Sequence, residues 1–296
     1  MSVRFCGLEL AHPVINGSGT FDAIAARRAF GEGLGAAFPF AAYVSKTITL
    51  EPRVGNPPPR LWEAPGGLIN SIGLPNKGLD GFMREDLPEL AELLPGVGAP
   101  LITNVMGASA ADLIQLVEAC DARAEIAAVE LNVSCPNVKT GLDIGADPGQ
   151  LEDVVAEVRP RTGKPLLVKL TPNTADVALC ARAAESAGAD AVSLINTLRA
   201  GALDPGRGAG SADPWLGGRT GGLSGPAVRA VALAQVWAVA EAVQIAVVGM
   251  GGVQSAAHAR DLLDAGATLV AVGTESFRDP AIGGTIAREL MREGTA

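Results

Sequence analysis

Histidine occurs only twice in the 296 residues, as His12 and His258, and lysine only five times, at 46, 77, 139, 164 and 169. Cysteine is as sparse: Cys6, Cys120, Cys135 and Cys180 stand far apart, without a C-x-x-C pair. That spacing argues against a four-cysteine iron–sulfur cluster within this chain, and a chain of this size needs no disulfide scaffold. Basic residues number 23 against 32 acidic, for a net charge of −9. A nucleic-acid or anionic-membrane surface would need the opposite balance. No apolar run approaches the roughly 20 residues that span a bilayer, and the opening "MSVRFCGLEL" lacks the apolar core of a signal peptide. A cytoplasmic protein is therefore expected. No Asp/Glu/His group shows metal-ligand spacing, so no metal site is expected.

What the chain does hold is 37 glycines, 48% hydrophobic residues and few aromatics, enough for a sizeable core. Eight short, nearly continuous apolar runs recur, at 13–16, 42–46, 100–105, 127–132, 165–170, 189–195, 245–249 and 268–273. Helical patterns such as "ADLIQLVEACDA" and "SAAHARDLLDAGA" follow them. Strands buried on both faces read this way, and eight of them alternating with helices predict a (β/α)8 TIM barrel. We expect one domain over 1–296. Two stretches, 51–76 and 198–225, are too rich in glycine and proline to be helices. They follow the second and sixth strands, and are expected as inserted loops or short strands over the C-terminal face.

The C-terminal ends of the eight runs carry polar residues. They are Asn16 in "NGSGT", Ser45-Lys46-Thr47, Asn104, Asn132, Lys169, Asn196-Thr197, "GMGG" and Gly273-Thr274. Left buried and unpaired, such groups would cost several kcal/mol each, so they are expected to line a cavity. In "VVGMGGV" and "AVGTESF" glycines present N–H groups just before helices, a phosphate site in many barrels; tight turns are the plainer alternative. Lysines at two strand ends need an anionic partner or a catalytic task. For Lys169 a Schiff-base role stays open. Asn70, Asn104, Asn132, Asn137 and Asn196 suit a planar heterocycle rich in C=O and N–H groups. Cys6, Cys120 and Cys180 have apolar neighbours and read as core residues. Cys135, in "ELNVSCPN", follows a strand among amides. With neither histidine at a strand end, proton transfer falls to Cys135, a lysine or a serine.

The ordered set "NGSGTF", "SKTIT", "GNPPPR", "NSIGLPN", "ELNVSCPN", "VKLTPN", "INTLR", "GGLSGP", "GMGGV" and "VGT" resembles class 1 dihydroorotate dehydrogenases. "NTLR" and "GGLSGP" are most like the class 1B, NAD-linked catalytic subunit. The resemblance implies FMN-dependent oxidation of (S)-dihydroorotate to orotate in UMP biosynthesis. It makes Cys135 the general base, beside a catalytic Lys46. Lys46, Asn70, Ser71, Ile72, Gly73, Leu74, Asn132, Asn137, Asn196 and Thr197 would bind the pyrimidine. FMN would be held by Ser18, Lys46, Thr47, Asn104, Asn132, Lys169, Ile195 and Gly225, with Gly251, Gly252, Gly273 and Thr274 around its phosphate. For Lys169 there is also a physical rationale, since a cation beside the N1–C2=O edge favours reduced, anionic flavin.

The class 1B resemblance further implies a homodimer, extended to a heterotetramer by a subunit that carries FAD and a [2Fe–2S] cluster and reduces NAD+. Two departures are visible: the chain is a few residues longer near 34–40, and "TGLDIGADP" replaces a common double glycine after the cysteine motif. Three alternatives stand beside this reading. They are a class 1A, fumarate-dependent enzyme, a dihydropyrimidine dehydrogenase-like enzyme, and a Schiff-base lyase or aldolase barrel using Lys169.

Overall fold

The computed structural model of the protein describes residues 2–31, 33–134 and 144–293. Two short antiparallel strands, β1 (Val3–Phe5) and β2 (Leu8–Leu10), open the chain. The eight expected barrel strands follow as β3 (Val14–Asn16), β4 (Tyr43–Val44), β7 (Leu101–Val105), β8 (Ile126–Asn132), β9 (Leu166–Lys169), β10 (Ala191–Leu194), β13 (Ala246–Met250) and β14 (Leu269–Val272). Every ladder between them is parallel, and their order round the sheet is their order in the chain. This is the (β/α)8 barrel the apolar runs predict.

Closure between β3 and β4 is made largely by a side chain. Asn16 Nδ2 donates to Val44 O and Asn16 Oδ1 accepts from Val44 N, both at 2.8 Å. One backbone bond, from Ala41 N to Val14 O at 3.0 Å, supports them. Asn16 therefore lines no cavity, contrary to the expectation for its strand end; it stands in for a rung of the sheet.

Alternate residues divide the core in two. Ile15, Val44, Ile102, Ala128, Leu167, Ala191, Val248 and Leu269 fill the barrel interior, with Phe5 and Leu10 of the opening hairpin packed against them. The intervening residues, such as Val129, Val168 and Val270, pack outward against the helices. Replacing a fully buried interior residue such as Leu167 by alanine would cost about 2–5 kcal/mol. Helix starts are fixed locally: Asp22, Ser109, Asp147, Asp176 and Ser255 each accept a hydrogen bond from the backbone N–H three residues on. Cys120 and Cys180 are fully buried, as expected of core residues. Cys6 is not: it turns the hairpin with φ 47°, half-buried, its thiol 3.5 Å from Asp190 O.

The two glycine- and proline-rich insertions form one structure. Strands β5 (Leu61–Ala64) and β6 (Gly67–Asn70) come from the first insertion, β11 (Leu198–Ala200) and β12 (Gly221–Ser224) from the second. They pair antiparallel in the order β11-β12-β6-β5, with Leu223 opposite Ile69. The sheet carries Asn70 and Gly222 to the wall of the same cavity as the barrel strand ends.

Candidate active site

A cavity of about 720 Å³ opens at the C-terminal ends of the barrel strands, beneath the four-stranded cover. That volume suits a cofactor-sized ligand. Its two ends differ in chemistry.

At one end lie Gly225, Gly251, Gly252, Gly273 and Thr274. Gly225, Gly251 and Gly252 have φ of 88°, 135° and 69°, a region L side chains rarely enter. A Cβ on Gly252 would meet Arg229 Cβ at 2.7 Å and Gly225 O at 3.0 Å. The N–H groups of Gly252 and Gly273 have no hydrogen-bond partner among the described residues. Gly273 precedes the short helix Thr274–Phe277, and Gly225 precedes Pro226–Val228 and the helix Arg229–Ala242. Free N–H groups closed in by backbone, that of Gly273 at a helix start, make a cradle whose chemistry suits an anion. Thr274 Oγ1 donates to Ser224 Oγ at 2.9 Å, tying the cradle to the cover sheet.

At the other end lie the lysines and amides. Lys169 is the last residue of β9, 7% exposed, with Asn132 of β8 and Ser193 of β10 opposite it in register. Lys46 follows β4 and runs against Gly19, whose added Cβ would lie 2.9 Å from Lys46 Cδ. Neither lysine forms an ion pair among the described residues, so a carboxylate partner does not account for them. Burial, and then the Lys169 ammonium, hold Lys46 below the usual lysine range. Ser18 and Thr47 flank Lys46 in the wall; Ser18 Oγ donates to Ser45 O at 2.8 Å and lies 3.3 Å from Thr47 Oγ1.

The asparagines converge in part. Asn196 Nδ2 donates to Ser134 Oγ at 2.8 Å and to Asn132 Oδ1 at 3.4 Å, and Asn196 Oδ1 accepts from Thr197 N at 2.9 Å. Across the cavity Asn70 Nδ2 donates to Gly222 O at 3.3 Å, and Ser71 Oγ to Thr220 O at 2.7 Å. Ile72, Gly73 and Leu74 continue that wall, with positive φ at the last two. Ile195 also reaches the wall. Asn104 does not: it is fully buried one layer deeper, and its Oδ1 has no hydrogen-bond partner. Cys135 and Asn137 lie outside the described residues.

The expected set omits several wall residues. Leu68, Met106, Met250, Val253 and Phe277 give the cavity an apolar lining, and Ser134, Ser224 and Gln254 add polar groups. The apolar ones carry no signal in sequence, because a residue facing a cavity and one facing the core look alike. Ser134 and Ser224 stand inside "NVSCPN" and "GGLSGP", where their motif neighbours point to them.

Fold and site define a (β/α)8-barrel enzyme working at the C-terminal ends of its strands. Comparison with known proteins makes this specific: the dihydroorotate dehydrogenase family model matches residues 1–293, and the chain belongs to that family of oxidoreductases. It is 45% identical over 298 residues to the catalytic subunit of dihydroorotate dehydrogenase B (NAD(+)) from Trichlorobacter lovleyi, covering 98% of this chain and 92% of that one. The proteins of the same description from Citrifermentans bemidjiense and Geobacter sulfurreducens are each 43% identical. Coverage there is 98% and 99% of this chain, and 92% of each relative. No helix among the described residues is long and apolar enough to cross a membrane.

Proposed function

We propose that the chain is the catalytic subunit of an NAD+-linked dihydroorotate dehydrogenase. It oxidises (S)-dihydroorotate to orotate in UMP biosynthesis with FMN at the barrel mouth. A partner subunit carrying FAD and a [2Fe–2S] cluster takes the electrons. The reading extends to one FMN-binding domain over 1–296 and a cytoplasmic homodimer, which the partner completes as a heterotetramer. Family membership and the names of the relatives support the substrate and the partner.

One observation carries the finer reading: a single cavity joins a glycine-lined anion cradle to a lysine–asparagine end. The unpartnered N–H groups of Gly252 and Gly273 fit the phosphate of FMN, and two lysines without carboxylates fit the N1–C2=O edge of its ring, where negative charge gathers on reduction. When bound, FMN would accept the hydride that leaves C6 of the substrate. Gly225, Gly251, Gly252, Gly273 and Thr274 hold the phosphate in this reading. Ser18, Lys46, Thr47, Asn132, Lys169 and Ile195 serve the ring and Asn104 backs them from the layer beneath, with Lys169 stabilising negative charge at the pyrimidine edge. Lys46, Asn70, Ser71, Ile72, Gly73, Leu74, Asn132, Asn137, Asn196 and Thr197 orient the substrate.

Cys135 Sγ removes the proton from C5 of the substrate. A free thiol has a pKa of about 8.5, so little thiolate exists at neutral pH. Flavin reduction by dihydroorotate should therefore accelerate as pH rises through the alkaline range. Cys135→Ala should keep FMN and slow this half-reaction about 10²–10⁴-fold. A wild-type rate in that variant, or a flat pH profile, removes Cys135 from the role.

A further inference from the structure

Among the described residues two charged side chains are buried, Lys169 and Glu130. Glu130 does not reach the cavity wall. It lies on β8, 3% exposed, on the same inward face as Asn132 but one layer deeper. Its Oε2 accepts from Asn104 Nδ2 at 2.5 Å and its Oε1 from Ser193 Oγ at 2.6 Å.

The contacts extend in both directions. Asn104 N donates to Ser45 Oγ at 3.1 Å, and Ser45 Oγ donates to Lys46 O at 3.0 Å. Ser193, on the other side, stands opposite Lys169 in the β9–β10 register. One buried hydrogen-bonded chain thus runs from β10 through β8 and β7 to the Lys46 backbone, with Glu130 at its centre. An amide nitrogen can only donate, so the carboxylate dictates how the Asn104 amide faces. Asn104 Oδ1 is left as a buried acceptor without a partner, a group a native interior keeps only for a reason. Above the carboxylate lie two lysines with no ion-pair partner among the described residues.

We propose that Glu130 is a positioning residue of the flavin site. Its carboxylate fixes Asn104 and Ser193 beneath the ring, and its negative charge opposes Lys46 and Lys169, holding down the reduction potential of the bound flavin. The inference rests on the FMN reading above. Contact and charge are separable by substitution. In Glu130→Gln, Oε1 still accepts from Asn104 and Nε2 donates to Ser193 Oγ, so the contacts persist and the charge is gone. In Glu130→Asp the charge persists, but the side chain is one methylene too short for Asn104.

The test measures the FMN dissociation constant and the midpoint potential, by equilibration against a reference dye, in wild type and both variants. Glu130→Gln should bind FMN as wild type does, with the two-electron reduction equilibrium moved at least about tenfold toward reduced flavin, about 30 mV. Glu130→Asp should keep the wild-type potential and bind FMN about tenfold more weakly, the effect of one lost buried hydrogen bond. Wild-type potential in Glu130→Gln, or parallel shifts of both quantities in both variants, would overturn the proposal. Should Glu130→Gln not fold, Glu130→Asp decides alone: a shifted potential with unchanged affinity overturns it. Wild-type protein that takes up no FMN would instead fail the underlying reading, and the inference with it.

Discussion

Gly252→Ala tests the anion cradle directly. The new Cβ would stand 2.7 Å from Arg229 Cβ and 3.0 Å from Gly225 O, at a backbone φ of 69°. Alanine in the left-handed region costs about 1–2 kcal/mol, and relief of the contacts tilts the Gly252 N–H out of the cradle. A hydrogen bond to a charged group is worth about 1.5–3 kcal/mol. At about 1.4 kcal/mol per tenfold, the variant should lose about 10–100-fold in affinity for the phosphorylated ligand. The assay titrates apoprotein with FMN and, separately, with riboflavin, following quenching of flavin fluorescence. Riboflavin has the ring but no phosphate, so distortion of the fold weakens both ligands while damage to the cradle weakens FMN alone. The preference for FMN over riboflavin should collapse by that factor. An unchanged preference would refute the assignment of this end to phosphate.

Asn16→Ala removes both hydrogen bonds that join β3 to β4 and leaves the buried N–H and C=O of Val44 unpaired. Urea unfolding should show a loss of about 2–4 kcal/mol; a loss below about 0.5 kcal/mol would mean that the barrel closes without this side chain. His12 gives a pH dependence. Burial lowers its pKa from 6.5 to about 4, and its Nδ1 accepts from Val14 N at 3.3 Å, a bond only the neutral ring can form. The unfolded chain takes up a proton below pH 6.5 that the folded chain refuses until about pH 4. The neutral ring's contribution is therefore complete above 6.5 and lost as pH falls through that window. At about 1.4 kcal/mol per pH unit the loss is at most about 3 kcal/mol. Wild type should lose correspondingly more stability than His12→Gln between pH 7 and pH 4.5, and parallel losses would exclude His12 as the cause.

The barrel was legible because strands buried on both faces must be apolar throughout, which sets the eight runs apart from the helices between them. The cover sheet was not. The two insertions were expected as loops or short strands, but the pairing of Leu223 with Ile69 joins segments about 150 residues apart. Neither segment carries a periodic signal that names its partner. Strand-end polarity pointed correctly to the cavity at Lys46, Asn132, Lys169 and Thr274, all of which reach its wall. It misled at Asn16, because an asparagine that replaces backbone rungs looks in sequence like one that awaits a ligand. Glu130 escaped for the opposite reason. It lies within an apolar run, and only the register shows Asn104 and Ser193 meeting its two oxygens.

Dihydroorotate should reduce a flavin held by this barrel. An anaerobic visible spectrum of the purified, FMN-loaded chain, before and after dihydroorotate is added, tests it most directly. Flavin absorbance should bleach on addition. Yellow protein that dihydroorotate leaves unbleached would contradict the substrate. Colourless protein unable to take up FMN would contradict the flavin site itself and turn attention to Lys169 as a Schiff-base lysine, which borohydride would trap on its substrate.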